Sequence, residues 1–217
     1  MVRIGKSFAE GEVNYFYFMK ENSFKLGLKL PTDPRWVNLA EISLADILTD
    51  HAYCEQKAAT NCITLIQFYP DKEELVRALA PIVTEEWGHF RLVLAEMDKR
   101  NLKLGSQRKD EYVNALIAFQ IKGGSREDRL LEKLITFALI EARSCERFRL
   151  LSLEIAEIPL RDFYHKFMVA EASHYRLFLD LAKKYCGEEK AQKRWQEYLD
   201  HEIEILEKLE VRGDRMH

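Results

Sequence analysis

The chain has 217 residues, of which 47% are hydrophobic and 32% are charged, with only nine glycines and five prolines. This composition favours one largely helical domain over an all-β chain, which would need many more turns. The formal net charge of −3 gives no general reason to expect nucleic-acid or membrane binding, so any such surface must come from local clusters of charge.

Targeting signals and disulfides are not expected. No stretch reaches the roughly 18 apolar residues that a membrane span requires, and the first residues lack the apolar run of a signal peptide. The four cysteines form neither a C-x-x-C pair nor a zinc-like cluster. We therefore expect a cytoplasmic protein with reduced cysteines and no membrane partner.

In chain order, residues 1–30 form an N-terminal extension, of which 8–30 are interpreted as a short helix or an irregular segment packed over the domain. Hydrophobic periodicity and helix breakers then predict helices at about 43–69, 72–101, 110–121, 126–157, 159–185 and 188–210. Residues 211–217 are polar and are predicted to form a flexible tail. Residues 1–217 are thus predicted to be a single all-α domain, a four-helix bundle with additional flanking helices.

Local signals mark several helix ends. Ser43 with Asp46, and Ser125 with Asp128, have the spacing of capping boxes at the starts of the first and fourth predicted helices. Pro81 lies inside the second predicted helix, where it removes one backbone hydrogen bond, and it should bend the helix.

Two Glu-x-x-His patterns stand out, each preceded about 30 residues earlier by a lone glutamate. The six residues are Glu55, Glu86, His89, Glu141, Glu171 and His174. Residues three apart on a helix lie roughly 60° apart around its axis, so the Glu and His of each pattern can point at one atom. Four carboxylates and two imidazoles in this order are the ligands of a two-metal site in a ferritin-like four-helix bundle.

Each of the four glutamates interrupts an apolar stripe. The positions one, two and three helical turns away are almost all apolar, and none is Lys or Arg. An unpaired ionised carboxylate in such a place would cost many kcal/mol, so it must be protonated, paired or bound to a cation. Two divalent metals bridged by shared carboxylates explain four such groups most economically.

Other acidic and histidine residues fit the stripes less well. Glu85, Glu146 and Glu154 point about 100° to 140° away from the relevant faces and are predicted to be outward, solvated charges. His51 lies one turn before Glu55 on the same face, where it could either support a ligand by hydrogen bonding or be a third imidazole ligand.

A carboxylate-rich site with one imidazole per metal suits iron, with manganese as an alternative. Such a site could activate oxygen for attack on a C–H bond, oxidise and store iron, reduce peroxide, or generate a radical. The bundle alone does not choose among these outcomes.

Four segments resemble a known family. They are DHAYCEQKA at 50–58, EEWGHF at 85–90, EARSCERF at 141–148 and EASHY at 171–175, and the resemblance covers about residues 31–210. The chain is similar to the tRNA 2-methylthio-N6-isopentenyladenosine hydroxylases, known as MiaE in bacteria. The resemblance implies a non-haem di-iron monooxygenase that hydroxylates the isopentenyl group of a hypermodified adenosine beside the tRNA anticodon.

The resemblance also implies cofactors and partners. The six residues of the two patterns and their lone glutamates would bind two iron ions, with dioxygen as co-substrate. The sequence contains no flavin, nicotinamide or iron–sulfur motif, so the electrons would come from a separate reductase. Two basic groups are candidate tRNA contacts: the cluster Lys99, Arg100, Lys103, Arg108 and Lys109, and the predicted outward pair Arg143 and Arg147.

Two rival hypotheses remain open. One is another di-iron oxidase or oxygenase acting on a small molecule or a protein. The other is a non-catalytic iron-storage bundle, which normally needs a closed multimeric shell, so that a monomer or dimer would count against it.

Overall fold

The computed structural model describes residues 26–217, and the regular structure within them is entirely helical. The helices are α1 (Trp36–Ile42), α2 (Leu44–Phe68), α3 (Glu73–Lys99), α4 (Glu111–Phe119), α5 (Arg126–Glu154), α6 (Ile158–Cys186) and α7 (Glu188–Lys208). The predicted all-α fold is confirmed, and the six predicted helices correspond to α2–α7. The interpretation of residues 8–25 lies outside the described residues.

The two predicted capping boxes differ in outcome. At Ser125 the box is complete, because its hydroxyl accepts from the Asp128 N–H at 3.0 Å and its own N–H donates to the Asp128 carboxylate at 2.8 Å. The box predicted at Ser43 is wrong, since this side chain makes no capping hydrogen bond. Ser43 joins α1 directly to α2, and its φ of −107° and ψ of 34° lie outside the extended region that a capping serine adopts.

The four long helices form two antiparallel pairs, α2 with α3 and α5 with α6, and α3 and α6 come closest between the pairs. The buried apolar side chains fall into two clusters. One cluster contains Leu65, Leu79 and Leu134, and the other contains Leu48 and Phe148. Along α2, α3 and α6 the candidate ligands lie between the parts that contribute to these clusters, and on α5 Glu141 lies near the end of the first cluster, so the hydrophobic core is divided at the candidate site.

The segment 211–217 returns to the bundle, in contrast to the predicted flexible tail. The backbone carbonyl of Arg215 accepts from the Trp36 indole at 3.2 Å, and the Met216 N–H donates to the buried Asp50 carboxylate at 2.8 Å. Gly213 fits because a Cβ there would lie only 2.1 Å from the carbonyl of Leu39. Polar composition suggested solvent exposure, but these polar groups have partners inside the protein.

None of the helices within residues 26–217 combines the length and apolar character that crossing a bilayer requires. The helix α3 continues through Pro81. The bend expected at this proline stays a prediction.

Candidate metal centre

The six candidate ligands meet at the centre of the bundle. Five of the side chains are buried and one, His89, is partly exposed. Their carboxylate oxygens and imidazole nitrogens form two groups, in each of which the atoms lie within 4.8 Å of one another. The first group is Glu55, Glu86, His89 and Glu171, and the second is Glu141, Glu171 and His174.

Two glutamates lie between the two groups. The Oε1 atom of Glu86 is 2.8 Å from Nδ1 of His174, and its Oε2 atom is 3.3 Å from Nδ1 of His89. Glu171 belongs to both groups, and its Oε2 atom is 3.3 Å from Nδ1 of His174. Glu55, whose Oε2 atom is 3.2 Å from Nδ1 of His89, belongs to one group only. Glu171 is therefore common to both groups, and Glu86, a member of the first group, also reaches His174 of the second.

His51 lies behind Glu55. Its Nε2 atom is 2.8 Å from Oε1 of Glu55, and its ring packs among Phe148, Tyr164 and Phe167. Burial in these apolar surroundings lowers the pKa of His51 well below its usual value, so the ring is neutral and hydrogen-bonds to the Glu55 carboxyl group. This geometry favours the interpretation of His51 as a residue that orients Glu55 over its interpretation as a third imidazole ligand.

Glu85 is only partly the outward charge that was predicted. Its side chain is 45% exposed, yet Oε2 is 3.4 Å from Nε2 of His174, the ring nitrogen that faces away from the centre. Metal-binding histidines commonly donate their second N–H to such a carboxylate, which fixes the tautomer and the ring orientation. Glu154, in contrast, is exposed as predicted.

The pKa values at the centre show how much the site disfavours several uncompensated negative charges. Burial and the neighbouring carboxylates raise the pKa of Glu55 and of Glu141 well above the usual range, and burial raises that of Glu171 to about 7. Burial opposes charging of His174, but its close contacts with Glu171 and Glu86 raise its pKa to about 12. Burial also opposes ionisation of Glu86, but the two nearby histidines lower its pKa. Without a metal, the site therefore retains protons.

The residues fit a pair of divalent cations. Glu86 Oε1 is buried without a well-directed hydrogen-bond donor, although the His174 nitrogen is only 2.8 Å away. A cation between these atoms would satisfy both of them. The oxygen-rich donor set with two imidazoles is the kind that iron and manganese accept, and a dense group of buried carboxylates needs such compensation.

A cavity of about 60 Å³ adjoins the centre and is lined by Glu55, Glu86, Glu141 and Glu171. Its other lining residues come from α2, α4, α5, α6 and the C-terminal segment: Cys54, Lys57, Ala58, Asn61, Asp110, Val113, Phe137, Ile140, Ser144, Phe178 and His217. Lys57, Asn61, Val113 and Ile140 are partly exposed, so the cavity reaches the surface between α2, α4 and α5.

The comparisons with known proteins agree with this geometry. A family model described as tRNA-(MS[2]IO[6]A)-hydroxylase (MiaE) matches residues 20–217. The chain belongs to the MiaE family. A relative from Pseudomonas putida, named tRNA 2-(methylsulfanyl)-N(6)-isopentenyladenosine(37) hydroxylase, is 34% identical over 161 residues, which are 74% of this chain and 77% of the relative. A Salmonella typhimurium relative of the same name is 27% identical, over 75% of this chain and 77% of its own length.

A solved structure supports the fold assignment. It is described as protein 43 with aldehyde deformylating oxygenase activity, from Synechococcus. Its TM-score is 0.82 at 32% sequence identity, and the match covers 88% of this chain and 94% of that one. The ferritin-like bundle expected for a MiaE member is therefore confirmed.

The predicted outward pair Arg143 and Arg147 is wrong for this MiaE member. Arg143 is fully buried, where it donates to Glu202 at 2.9 Å and to Glu146. Glu146, predicted to be solvated, is only 3% exposed. Arg147 is also buried, with its guanidinium 4.9 Å from the Trp36 ring centroid. The helix α1, the segment before it, α7 and residues 211–217 cover this face of α5, so it is not available to tRNA.

The basic cluster between the two helix pairs has mixed surroundings. Lys99 and Arg100 form ion pairs with Glu96, and Arg108 pairs with Asp46 and Asp214. Lys103 and Lys109 are exposed, and no ion pair engages either of them within residues 26–217. The connection that carries these two lysines lies over α2, because the Tyr53 hydroxyl donates to the Gly105 carbonyl at 3.0 Å. It ends at Asp110 beside the cavity.

Several cavity residues escaped the sequence-based prediction. Ser144 follows Glu141 by three positions, so its place on the same face was available from helix periodicity. Lys57 lies two positions after Glu55, so helix periodicity places it on a different face of α2. Its place in the cavity wall depends on the packing of the helices around it. His217 reaches the cavity only through the fold of the last seven residues, for which no local pattern gives a signal.

Proposed function

We propose that this protein is an oxygen-dependent di-iron monooxygenase that hydroxylates the isopentenyl group of 2-methylthio-N6-isopentenyladenosine in tRNA, next to the anticodon. The observation that carries the proposal is the convergence of four buried carboxylates and two imidazoles beside a cavity, in a chain that belongs to the MiaE family. The relatives named as hydroxylases of this nucleoside support the choice of substrate.

In this proposal each iron has its own carboxylate and imidazole. Glu55 and His89 would hold one ion, Glu141 and His174 would hold the other, and Glu86 and Glu171 would be shared. When bound and reduced by a separate electron donor, the iron pair would supply the capacity to reduce dioxygen and oxidise a C–H bond. The protein's own residues set the position of the substrate and control the access of water and protons.

The size of the cavity suits the prenyl arm of the substrate. The cavity has a volume of about 60 Å³, and roughly 10–15 Å³ holds one water, so there is room for about four to six water-sized groups. This is the size of a five-carbon branch and is too small for a purine. Phe137, Ile140 and Phe178 give the cavity an apolar wall that suits a hydrocarbon chain.

The purine would therefore remain at the mouth of the cavity, turned out of its stack in the anticodon loop. Lys57 lines this mouth, and the connection with Lys103 and Lys109 ends beside it. These three ammonium groups are suited to contact the phosphates that flank a nucleotide whose arm enters the cavity.

Replacing Lys57 or Lys109 by alanine is expected to weaken tRNA binding several-fold at low salt. Each lost phosphate contact should reduce the slope of log affinity against log salt concentration by roughly 0.7 to 0.9. The measurement is a salt series of binding isotherms with labelled tRNA. Lys193→Ala is the matched control, because Lys193 is exposed on α7 and does not line the cavity. Equal behaviour of all three variants would contradict this binding surface.

Metal loading is expected to release protons. Near neutral pH the metal-free protein holds protons on Glu55, Glu141 and His174, because their pKa values are raised. A divalent ion must displace these protons, so affinity should rise with pH, and roughly two or three protons should leave per pair of ions. Calorimetric titration with Mn²⁺ in buffers of different ionisation enthalpy measures this number. Identical binding enthalpies in all buffers would show that the pKa directions are wrong.

The direct test of the proposed function uses reduced, iron-loaded protein and tRNA from cells that lack the hydroxylated nucleoside. After exposure to oxygen, digestion and mass spectrometry should show the prenylated nucleoside with one added oxygen atom. Unchanged nucleoside, with iron and reductant both competent, would reject the proposal. A parallel reaction with a long-chain aldehyde tests the activity named for the Synechococcus protein. Aldehyde conversion without tRNA hydroxylation would favour the small-molecule oxygenase hypothesis.

A further inference from the structure

A chain of hydrogen bonds forms one wall of the cavity beside the metal centre. The Oγ atom of Ser144 is 2.8 Å from Nε2 of His217, and Nδ1 of His217 is 3.3 Å from Oδ2 of Asp110. All three residues line the cavity, and none belongs to the candidate ligand set. The His217 ring also stacks on Tyr112, with 5.4 Å between the centroids and 15° between the planes, which holds the imidazole in place.

His217 also lies at the boundary with a second pocket. This surface pocket has a volume of about 300 Å³ and is lined by residues from segments 30–34 and 206–212, with Arg147 and His217. His217 is common to the linings of both pockets. One imidazole therefore lies between the metal cavity and a second pocket that opens to solvent.

The proposed reaction needs protons at a buried site. Hydroxylation of R–H by dioxygen consumes two electrons and two protons and yields R–OH and one water. The electrons come from the external donor, and the protons must be delivered from solvent to the centre. The candidate ligands cannot supply them in every turnover, because metal binding requires their deprotonation. A group that lines the cavity and also borders a solvent-accessible pocket is suited to this delivery.

We propose that Ser144 and His217 form a proton relay from the surface pocket to the metal cavity, with Asp110 as the residue that orients the His217 ring. The proposal rests on the proposed function, which sets the demand for protons. In each step the Ser144 hydroxyl releases its proton into the cavity and accepts one from Nε2 of the imidazolium. Water in the surface pocket then recharges His217, and the Ser144 hydroxyl turns back toward the cavity. One proton moves per step and no electrons move, so two steps serve one turnover.

The electrostatic surroundings suit this role. Burial opposes ionisation of Asp110, but its hydrogen bond and attraction to His217 lower its pKa to about 2, so it faces the ring as a carboxylate. Burial raises the pKa of the Cys54 thiol well above its usual value, which makes Cys54 a poor proton donor. Apart from the four candidate ligand glutamates, the acidic, basic and thiol groups whose charges act on His217 or that line the same pockets are Asp33, Asp50, His51, Cys54, Lys57, Asp110, Arg147, Glu210 and Arg212.

Ser144→Ala tests the relay because it removes one hydroxyl group from a helix interior. We expect at least a tenfold loss of hydroxylation rate, the lower end of what a positioned acid or base provides, with unchanged iron content and tRNA affinity. Ser144→Thr should restore most of the rate. Ser152→Ala is the matched control on the same helix, since within residues 26–217 the Ser152 hydroxyl donates to the Arg149 carbonyl at 2.8 Å and does not line the cavity. A full rate in Ser144→Ala would overturn the relay.

Two further measurements do not depend on turnover. In the metal-free protein labelled with ¹⁵N-histidine, Ser144→Ala should shift the Nε2 resonance of His217, whereas Ser152→Ala should not. Without tRNA, oxygen should oxidise the reduced iron protein with a solvent deuterium isotope effect that Ser144→Ala changes. The isotope-effect measurement tests the relay independently of the substrate, because it can be made without tRNA and stays valid if tRNA proves not to be the substrate. An unchanged His217 resonance or an unchanged isotope effect would overturn the relay.

A metal ion is the alternative occupant of this cluster, because Cys54, Asp110 and His217 also bring ligand atoms within 4.8 Å of one another. Lys57 acts on both Cys54 and Asp110 as a nearby positive charge, which disfavours a cation there. Metal analysis should therefore give no more than two ions per chain. A third ion that is lost in His217→Ala would overturn the relay in favour of a metal site.

Discussion

Glu86→Ala is expected to remove nearly all bound iron, whereas Glu141→Ala should leave about one ion per chain. Glu86 reaches both imidazoles, with Oε1 2.8 Å from His174 and Oε2 3.3 Å from His89, so both ions would lose a ligand. Glu141 belongs to one ligand group only, and the group that contains Glu55 and His89 stays complete without it. The measurement is iron per chain after anaerobic loading and gel filtration, with circular dichroism as a check on folding.

The control for this experiment is Glu154→Ala, a substitution on the same helix as Glu141. Glu154 is exposed and should leave both ions bound. Glu146 is unsuitable as a control although it lies nearer, because it is buried against Arg143 and its loss would disturb the fold. Retention of two ions by Glu86→Ala, or loss of both by Glu141→Ala, would contradict the assignment of shared and terminal carboxylates.

The convergence of the candidate ligands could be predicted because it depends on helix periodicity, which is a local property. Each glutamate replaces one apolar residue in a stripe that must face the core, so its direction is known as soon as the helix is assigned. The division of the core into two clusters follows from the same fact. The four glutamates lie at similar positions along the bundle axis, so one cluster of apolar side chains packs on each side of them.

The outer face of α5 could not be predicted in the same way. Helix periodicity gives the angle between Arg143 and Glu141, but it does not give what lies opposite Arg143. That face is covered by Leu30 and Thr32 from the segment before α1, and by Glu202 from α7. These contacts join residues separated by 59 to 113 positions, so they depend on the packing of the whole chain.

The polar wall of the cavity was missed for a related reason. A charged, short segment after the last helix has the composition of a disordered tail, and its apolar content is too low to predict burial. The segment is held instead by specific polar partners, such as Asp50 for the Met216 N–H and Ser144 for the His217 ring. Such pairings have no periodic signature in a single sequence.

Arg143→Met is expected to destabilise the protein by about 3–5 kcal/mol, the usual effect of removing one partner from a buried ion pair. The substitution removes a guanidinium that contacts two buried carboxylates, Glu146 at 3% and Glu202 at 0% exposure. The guanidinium also donates to the Leu30 carbonyl at 2.9 Å, so the segment before α1 would lose an anchor. Chemical denaturation of the metal-free protein, followed by circular dichroism, measures the free energy of unfolding.

Neutralising the carboxylates as well should reverse most of this loss, because the large cost comes from buried charges that no longer face the guanidinium. The test is the triple variant Arg143→Met, Glu146→Gln, Glu202→Gln. In the unmodified protein the Thr32 hydroxyl donates to Glu146 at 2.6 Å and the Tyr112 hydroxyl donates to Glu202 at 2.7 Å, and the glutamine side-chain oxygens can still accept these hydrogen bonds. Arg91→Met, at an exposed arginine on α3, controls for the change of residue type and should shift stability by less than about 0.5 kcal/mol. If the triple variant is no more stable than Arg143→Met, the loss comes from packing around the arginine and not from its charge.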